Sequence, residues 1–167
     1  MSSKLCVLYR IILPIYPLWD LIANLNNANL NETDLSNANL NGTELSETNI
    51  NLAIVNQRTL IDKKWRLVKE ITVHRGADKD FSEVDLSKVN LSGTNLSEAI
   101  FTRANLSGNN LSKTYLSRAN LSKTFLRKAN FESAYLSGTD LSEANLSEAD
   151  FRKANLRGAN LDNTNVA

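Results

Sequence analysis

From Phe81 to Val166 a large apolar residue stands at every fifth position without a miss, running Phe81, Leu86, Leu91, Leu96, Phe101, Leu106 and onward. A period of five fits neither an α-helix nor a flat strand, whose side-chain periods are about 3.6 and 2 residues. Some other regular backbone is required, one that returns an equivalent side chain to the interior once per repeat. The over-use of Leu and Asn therefore reflects a repeat in strict register and not a disordered tract.

The same beat begins earlier, at Ala23, with apolar centres at Leu25, Leu30, Leu35, Leu40, Leu45, Ile50, Val55 and Leu60. Two residues before each of the first seven stands Ala or Thr, and before the last stands Arg58, which marks the end of a first block over 23–60. Residues 61–80 then change period. Ile61, Trp65, Val68 and Ile71 fall at intervals of three and four, as on one apolar face of a short amphipathic helix. Thr59 with Asp62 resembles a capping box, Asp62 and Arg66 form a favourably ordered pair, and Gly76 is a stop signal. The second block, 81–167, resumes with its phase shifted by one residue, so the insertion is expected to replace an uneven length of chain.

The unit reads small residue, Asn or Asp, Leu or Phe, commonly Ser, then a free position, as in Ala104-Asn105-Leu106-Ser107-Gly108 and Ala144-Asn145-Leu146-Ser147-Glu148. It resembles the consensus of the pentapeptide-repeat family, and the insertion Asp62-Lys63-Lys64-Trp65-Arg66-Leu67-Val68-Lys69-Glu70-Ile71 resembles segments of cyanobacterial members. The resemblance implies an all-β fold: a right-handed quadrilateral parallel β-helix, a solenoid with four repeats per coil, here carrying a short α-helical insertion. Coils would stack at the inter-strand spacing of about 4.8 Å, placing residues twenty apart above one another in one stacked domain over 23–167. The preceding inward residue is small because a narrow tube has no room for a second large side chain. Lys79 breaks that rule at an entrance open to solvent, and Asn109 breaks it in mid-stack, where a bulge or an internally bonded amide is expected.

Residues 1–22 lie outside the repeat. Their apolar run Leu5–Leu18 is interrupted by Arg10 and broken by Pro14 and Pro17, which argues against a signal core and against a spanning helix of about 20 residues. An apolar cap over the first coil, built with Trp19, Leu21 and Ile22, is the favoured reading, with an exported leader as the other. Cytoplasmic residence follows from the first.

Chemistry is sparse. One Cys (Cys6) and one His (His74) cannot build a disulfide framework, a Cys/His metal cluster or a nucleophilic triad, and the recurring Ser residues have no imidazole beside them in any motif. No phosphate loop or dinucleotide fingerprint is present, so no cofactor and no enzyme activity are expected. The formal net charge of +1 and the interspersed signs argue against nucleic acid as a partner. Some members of the family mimic duplex DNA and bind topoisomerases through a strongly acidic surface. Here the second block balances nine acids with ten bases, which removes the electrostatic reason for mimicry. What remains is a protein-interaction scaffold. Its candidate partner surface is the set of apolar residues at the outward Asn/Asp place, Ile100, Tyr115, Phe125 and Tyr135; Trp65 of the insertion is expected to face the rest of the fold, with a partner anchor as the other reading. A second copy of the chain is another expected partner, covering an uncapped coil end; a membrane is not.

Overall fold

The computed structural model describes residues 24–74 and 76–167. The cap or leader expected over 1–22, with Cys6, lies outside the described residues. The chain forms two compact units, one up to Lys69 and one from Glu70 to Ala167.

Each repeat contributes a single bridge residue and a turn, not an extended strand. Isolated parallel bridges join residues twenty apart, such as Asn24 with Glu44 in the first unit and Asn105 with Phe125 in the second, so each coil holds four repeats. The ladder follows from alternating donors: the Leu86 N–H donates to the Asn105 carbonyl at 2.9 Å, and the Asn105 N–H donates to the Val84 carbonyl at 2.9 Å.

The turn explains the repeat's composition. In most repeats the residue three after the centre donates back to it, as from Ala104 N–H to the Phe101 carbonyl at 2.9 Å. The residue two after the centre has a positive φ, for instance 60° at Arg103 and 58° at Lys113, which fits a type II turn. Thus the "free" position is free in side chain but not in backbone. A left-handed conformation costs a non-glycine residue about 1–2 kcal/mol, and a bond to the next coil offsets it, such as Lys88 N–H to the Ser107 carbonyl at 2.9 Å. Asn or Asp precedes the centre because its side-chain oxygen accepts the N–H two residues on, closing an Asx turn: Asn105 Oδ1 accepts from Ser107 at 3.1 Å and Asp140 Oδ1 from Ser142 at 2.9 Å.

Inside, the centres Leu86 to Leu146 of the second unit are buried, and stacking orders the aromatic ones: Phe131 and Phe151 lie 4.7 Å apart at 5°. The small inward residues are buried too. At several of the Thr residues in that place the hydroxyl donates to the carbonyl of a centre in the coil before it, twenty-three residues back: Thr114 to Leu91 at 3.3 Å, Thr124 to Phe101 at 2.9 Å and Thr139 to Leu116 at 2.8 Å.

That rule exposes a correction. Thr59 donates to Leu35, twenty-four residues back, because one extra residue lies between Val55 and Thr59. Thr59, not Arg58, takes the small inward place; Leu60 is an outward bridge residue, 49% exposed, and Ile61 is the buried centre. The first block thus ends at Ile61, and the one-residue phase shift arises at Val55–Thr59 and not in the insertion. The helix α1, Lys63–His74, is shorter than the expected insertion. Its N-cap is Asp62, whose carbonyl accepts the first helical bond from Arg66 at 3.0 Å, so Thr59 belongs to the coil and not to a capping box. Arg66 does not pair with Asp62 among the described residues; its guanidinium donates to the Thr59 carbonyl at 2.8 Å.

Gly76 does more than stop the helix. Coil geometry resumes at Ala77–Asp78, so Gly76 occupies a centre's place, five residues before Phe81. A Cβ there would meet Leu96 Cδ2 at 2.6 Å, Phe81 Cε2 at 3.1 Å and Ile71 Cγ2 at 3.3 Å, so the space of a missing leucine is filled by these neighbours. Lys79 is exposed at this entrance. Asn109 keeps the register without a bulge: its Oδ1 accepts from Val89 N–H at 2.9 Å, while its Nδ2 is buried without a partner among the described residues.

Candidate partner face and groove

The outward side chains fall into columns set by the bridges. Tyr115 pairs with Tyr135, and their rings stack 4.8 Å apart at 5° while remaining 48% and 45% exposed. Phe125 pairs with Asn105 and Asn145, two repeats round the coil from the tyrosines and so on the opposite side; Ile100 pairs with Asp80 and Asn120 in the column next to them. Both are exposed. Trp65 stands apart from this set. It is buried in α1, so it offers no free anchor.

These four outward residues exchange a local turn bond for exposed apolar surface. Each replaces an Asn or Asp, so the N–H groups of Thr102, Ser117, Arg127 and Ser137 lack the Asx acceptor that Ser107 and Ser142 have. Their side chains add nothing to the core. Beside Tyr115 lies an open groove of about 420 Å³, lined also by Thr72 and Val73 of α1 and by Gly93, Thr94, Asn95 and Ser97. Sequence reading missed this groove because only the packing of Thr72 and Val73, at the end of α1, beside the coils of the second unit creates it. It missed as well the exposed Leu52 and Ile54 of the first unit, and Leu60, which the misplaced register had made an inward centre.

The charged turns are paired vertically. Arg103 meets Glu83 at 3.5 Å, Arg118 meets Glu98 at 3.3 Å, Lys123 meets Glu143 at 3.5 Å, and Arg127 and Lys128 both meet Glu148. The Glu148 carboxyl is held below its ordinary value mainly by the Arg127 hydrogen bond, and Asp150 by that of Arg152. In α1, burial lowers the Lys69 ammonium below its ordinary value while its Nζ donates to the Asn51 carbonyl at 2.8 Å. Among the described residues no group of three His, Cys, Asp or Glu is placed to hold a metal ion, and no helix is long and apolar enough to cross a membrane.

The sequence matches the description "Pentapeptide repeats" in 8 copies, over residues 23–57, 80–118, 99–138, 110–147 and 129–166. The chain belongs to the pentapeptide-repeat family. Among solved members of that family, it resembles one from Nostoc Pcc 7120 at 33% identity, over 58% of this chain and 74% of that one, with a TM-score of 0.47. HetL, a pentapeptide repeat protein involved in heterocyst differentiation regulation in Nostoc sp. strain PCC 7120, matches at 24% identity over 86% of this chain and 85% of that one, with a TM-score of 0.34. QnrB1, a plasmid-mediated fluoroquinolone resistance protein, matches at 19% identity over 87% of this chain and 78% of that one, with a TM-score of 0.37. No curated protein matches.

Proposed function

We propose that this pentapeptide-repeat protein is a non-catalytic, cytoplasmic scaffold that binds a protein partner through the face carrying Tyr115 and Tyr135. Its coils have the right-handed, four-sided winding that family membership implies. One observation carries the reading: two stacked, half-exposed tyrosines occupy places where Asn would complete a turn, so they cost local hydrogen bonds and give the core nothing. Aromatic residues are over-represented among those that dominate binding energy at interfaces. Ile100 and the groove beside Tyr115 extend the face; Phe125 lies on the other side.

Topoisomerase binding through DNA mimicry is disfavoured by the charge pattern of the second unit, where acidic turns stand against Lys or Arg of the next coil. A gyrase supercoiling assay in which micromolar protein neither inhibits nor protects the enzyme is the expected outcome.

The direct test compares wild type with the double variant Tyr115→Asn/Tyr135→Asn in affinity capture. Asn restores the Asx acceptor and removes a stacked pair worth about 0.5–1.5 kcal/mol, so circular dichroism and Tm should barely change. Capture of the wild-type partners should be lost or weakened. Equal capture by the two proteins removes this face as the anchor.

A further inference from the structure

Asn41-Gly42 is the one Asn-Gly dipeptide in the chain, and the fold leaves it chemically open. Turns of this coil fold are ordinarily tied to the next coil through the N–H of the left-handed residue. Asn27 N–H donates to the Ser46 carbonyl at 2.9 Å, Gly93 N–H to the Ser112 carbonyl at 2.9 Å and Gly108 N–H to the Arg127 carbonyl at 2.8 Å. Gly42 has φ 72° and occupies the same place. With the extra residue at Val55–Thr59, its matching acceptor is the Asp62 carbonyl. That carbonyl instead accepts the first bond of α1, from Arg66 at 3.0 Å. Among the described residues the Gly42 N–H donates to nothing, and nothing would lie within 4 Å of a Cβ built on it.

Among the described residues the Asn41 side chain is equally untied. At equivalent turn positions, Asn26 Oδ1 accepts from Ser46 N–H at 2.7 Å and Asn26 Nδ2 donates to Glu44 at 3.0 Å, while Asn31 Oδ1 accepts from Leu52 N–H at 3.2 Å. Among the described residues Asn41 has only its backbone N–H bonded, to Asn39 Oδ1 at 3.2 Å, and both it and Gly42 are exposed. Glycine offers no Cβ to hinder rotation of the peptide plane or approach to its nitrogen.

We propose that Asn41-Gly42 is a self-modifying site, at which the folded protein converts asparagine to aspartate and isoaspartate. Hydroxide removes the Gly42 amide proton, and the nitrogen attacks Asn41 Cγ. The new N–Cγ bond forms as the Cγ–Nδ2 bond breaks, and Nδ2 leaves as ammonia after taking a proton from water, which restores the hydroxide. Water then opens the cyclic imide at either carbonyl. The balance is one water consumed and one ammonia released, with no redox change. The isoaspartyl product adds a backbone carbon and a carboxylate to the turn between Leu40 and Thr43, whose bond from Thr43 N–H to the Leu40 carbonyl is 3.1 Å.

The test incubates the full-length protein in mildly alkaline buffer and follows Asn41 by peptide mass and by isoaspartyl methyltransferase labelling, beside a synthetic peptide of residues 36–47. Conversion at Asn41 should run an order of magnitude faster than at Asn26 or Asn31, and at a rate comparable to that in the free peptide. Gly42→Lys keeps the turn, since Lys113 and Lys123 hold the same left-handed conformation, and should reduce conversion to the level of those other asparagines. A native rate below a tenth of the peptide's, or conversion undiminished in Gly42→Lys, overturns the proposal.

Discussion

Asn109→Thr should stabilise the protein, although it alters a buried residue in mid-stack. Asn109 has a stranded Nδ2, and a buried unsatisfied donor costs about 1–3 kcal/mol. Its Oδ1 bond to Val89 N–H is worth about 0.5–1.5 kcal/mol and would be lost. Val89 N–H can then turn to the Leu86 carbonyl, the bond that Thr94 makes to Leu91 and Ala99 to Leu96, each at 3.2 Å. A threonine at 109 also gains a donor path of its own, because twenty-three residues back lies Leu86, matching Thr114 to Leu91 and Thr124 to Phe101. The net expectation is a gain of about 1–2 kcal/mol. In a unit of about 100 residues that corresponds to a Tm rise of roughly 4–15 °C, read by far-UV circular dichroism on heating and checked by urea unfolding. Asn109→Ala removes the stranded donor without supplying a hydroxyl, and should fall between wild type and the Thr variant. A Tm below wild type for Asn109→Thr would refute the reasoning, since it would mean that the amide is satisfied or that its shape is required.

The other predictions concern the start of the second unit and the carboxylates. Gly76→Ala places a methyl 2.6 Å from Leu96 Cδ2 and should cost about 1–3 kcal/mol through overpacking, seen as a lower urea midpoint; an unchanged midpoint would show that Leu96 moves aside freely. The Asp34 and Asp80 carboxyls lie below their ordinary value of 3.8 through the side-chain hydrogen bonds of Ser36 and Ser82. For such groups the unfolded chain binds more protons in the window between the two pKa values, so their contribution is complete above the ordinary carboxylate range and fades as pH falls through the lowered values. Tm should be flat from neutral pH to about 5 and fall below about 4, less steeply in Asp80→Asn/Asp34→Asn; a Tm that rises on acidification contradicts this. The capture assay with Tyr115→Asn/Tyr135→Asn and the mass measurement at Asn41 complete the set.

The columns were legible because the backbone period is fixed. Once four repeats make a coil, Tyr115 must lie against Tyr135, and Phe125 must face the other way. What could not be read was any place where one residue is added without changing residue type in an obvious manner. Arg58 looked like a failed small residue, whereas the buried hydroxyl of Thr59 marks the true register. Trp65 fell on an apolar stripe, and a stripe says that a residue is covered without saying by what. The groove beside Tyr115 was invisible for the same reason, since Thr72 and Gly93 are remote in sequence and meet only in the folded second unit.

By itself the sequence determined the repeat, its inward leucines and phenylalanines, its Asx turns and the charge balance, because each depends on residues within one repeat or a fixed twenty apart. Only the tertiary structure decided where register slips, where the helix starts and which polar groups are left without partners. Those depend on which carbonyl of one coil meets which N–H of the next. A single residue added between Val55 and Thr59 moved the acceptor opposite Gly42 onto Asp62, where a helix had already claimed it.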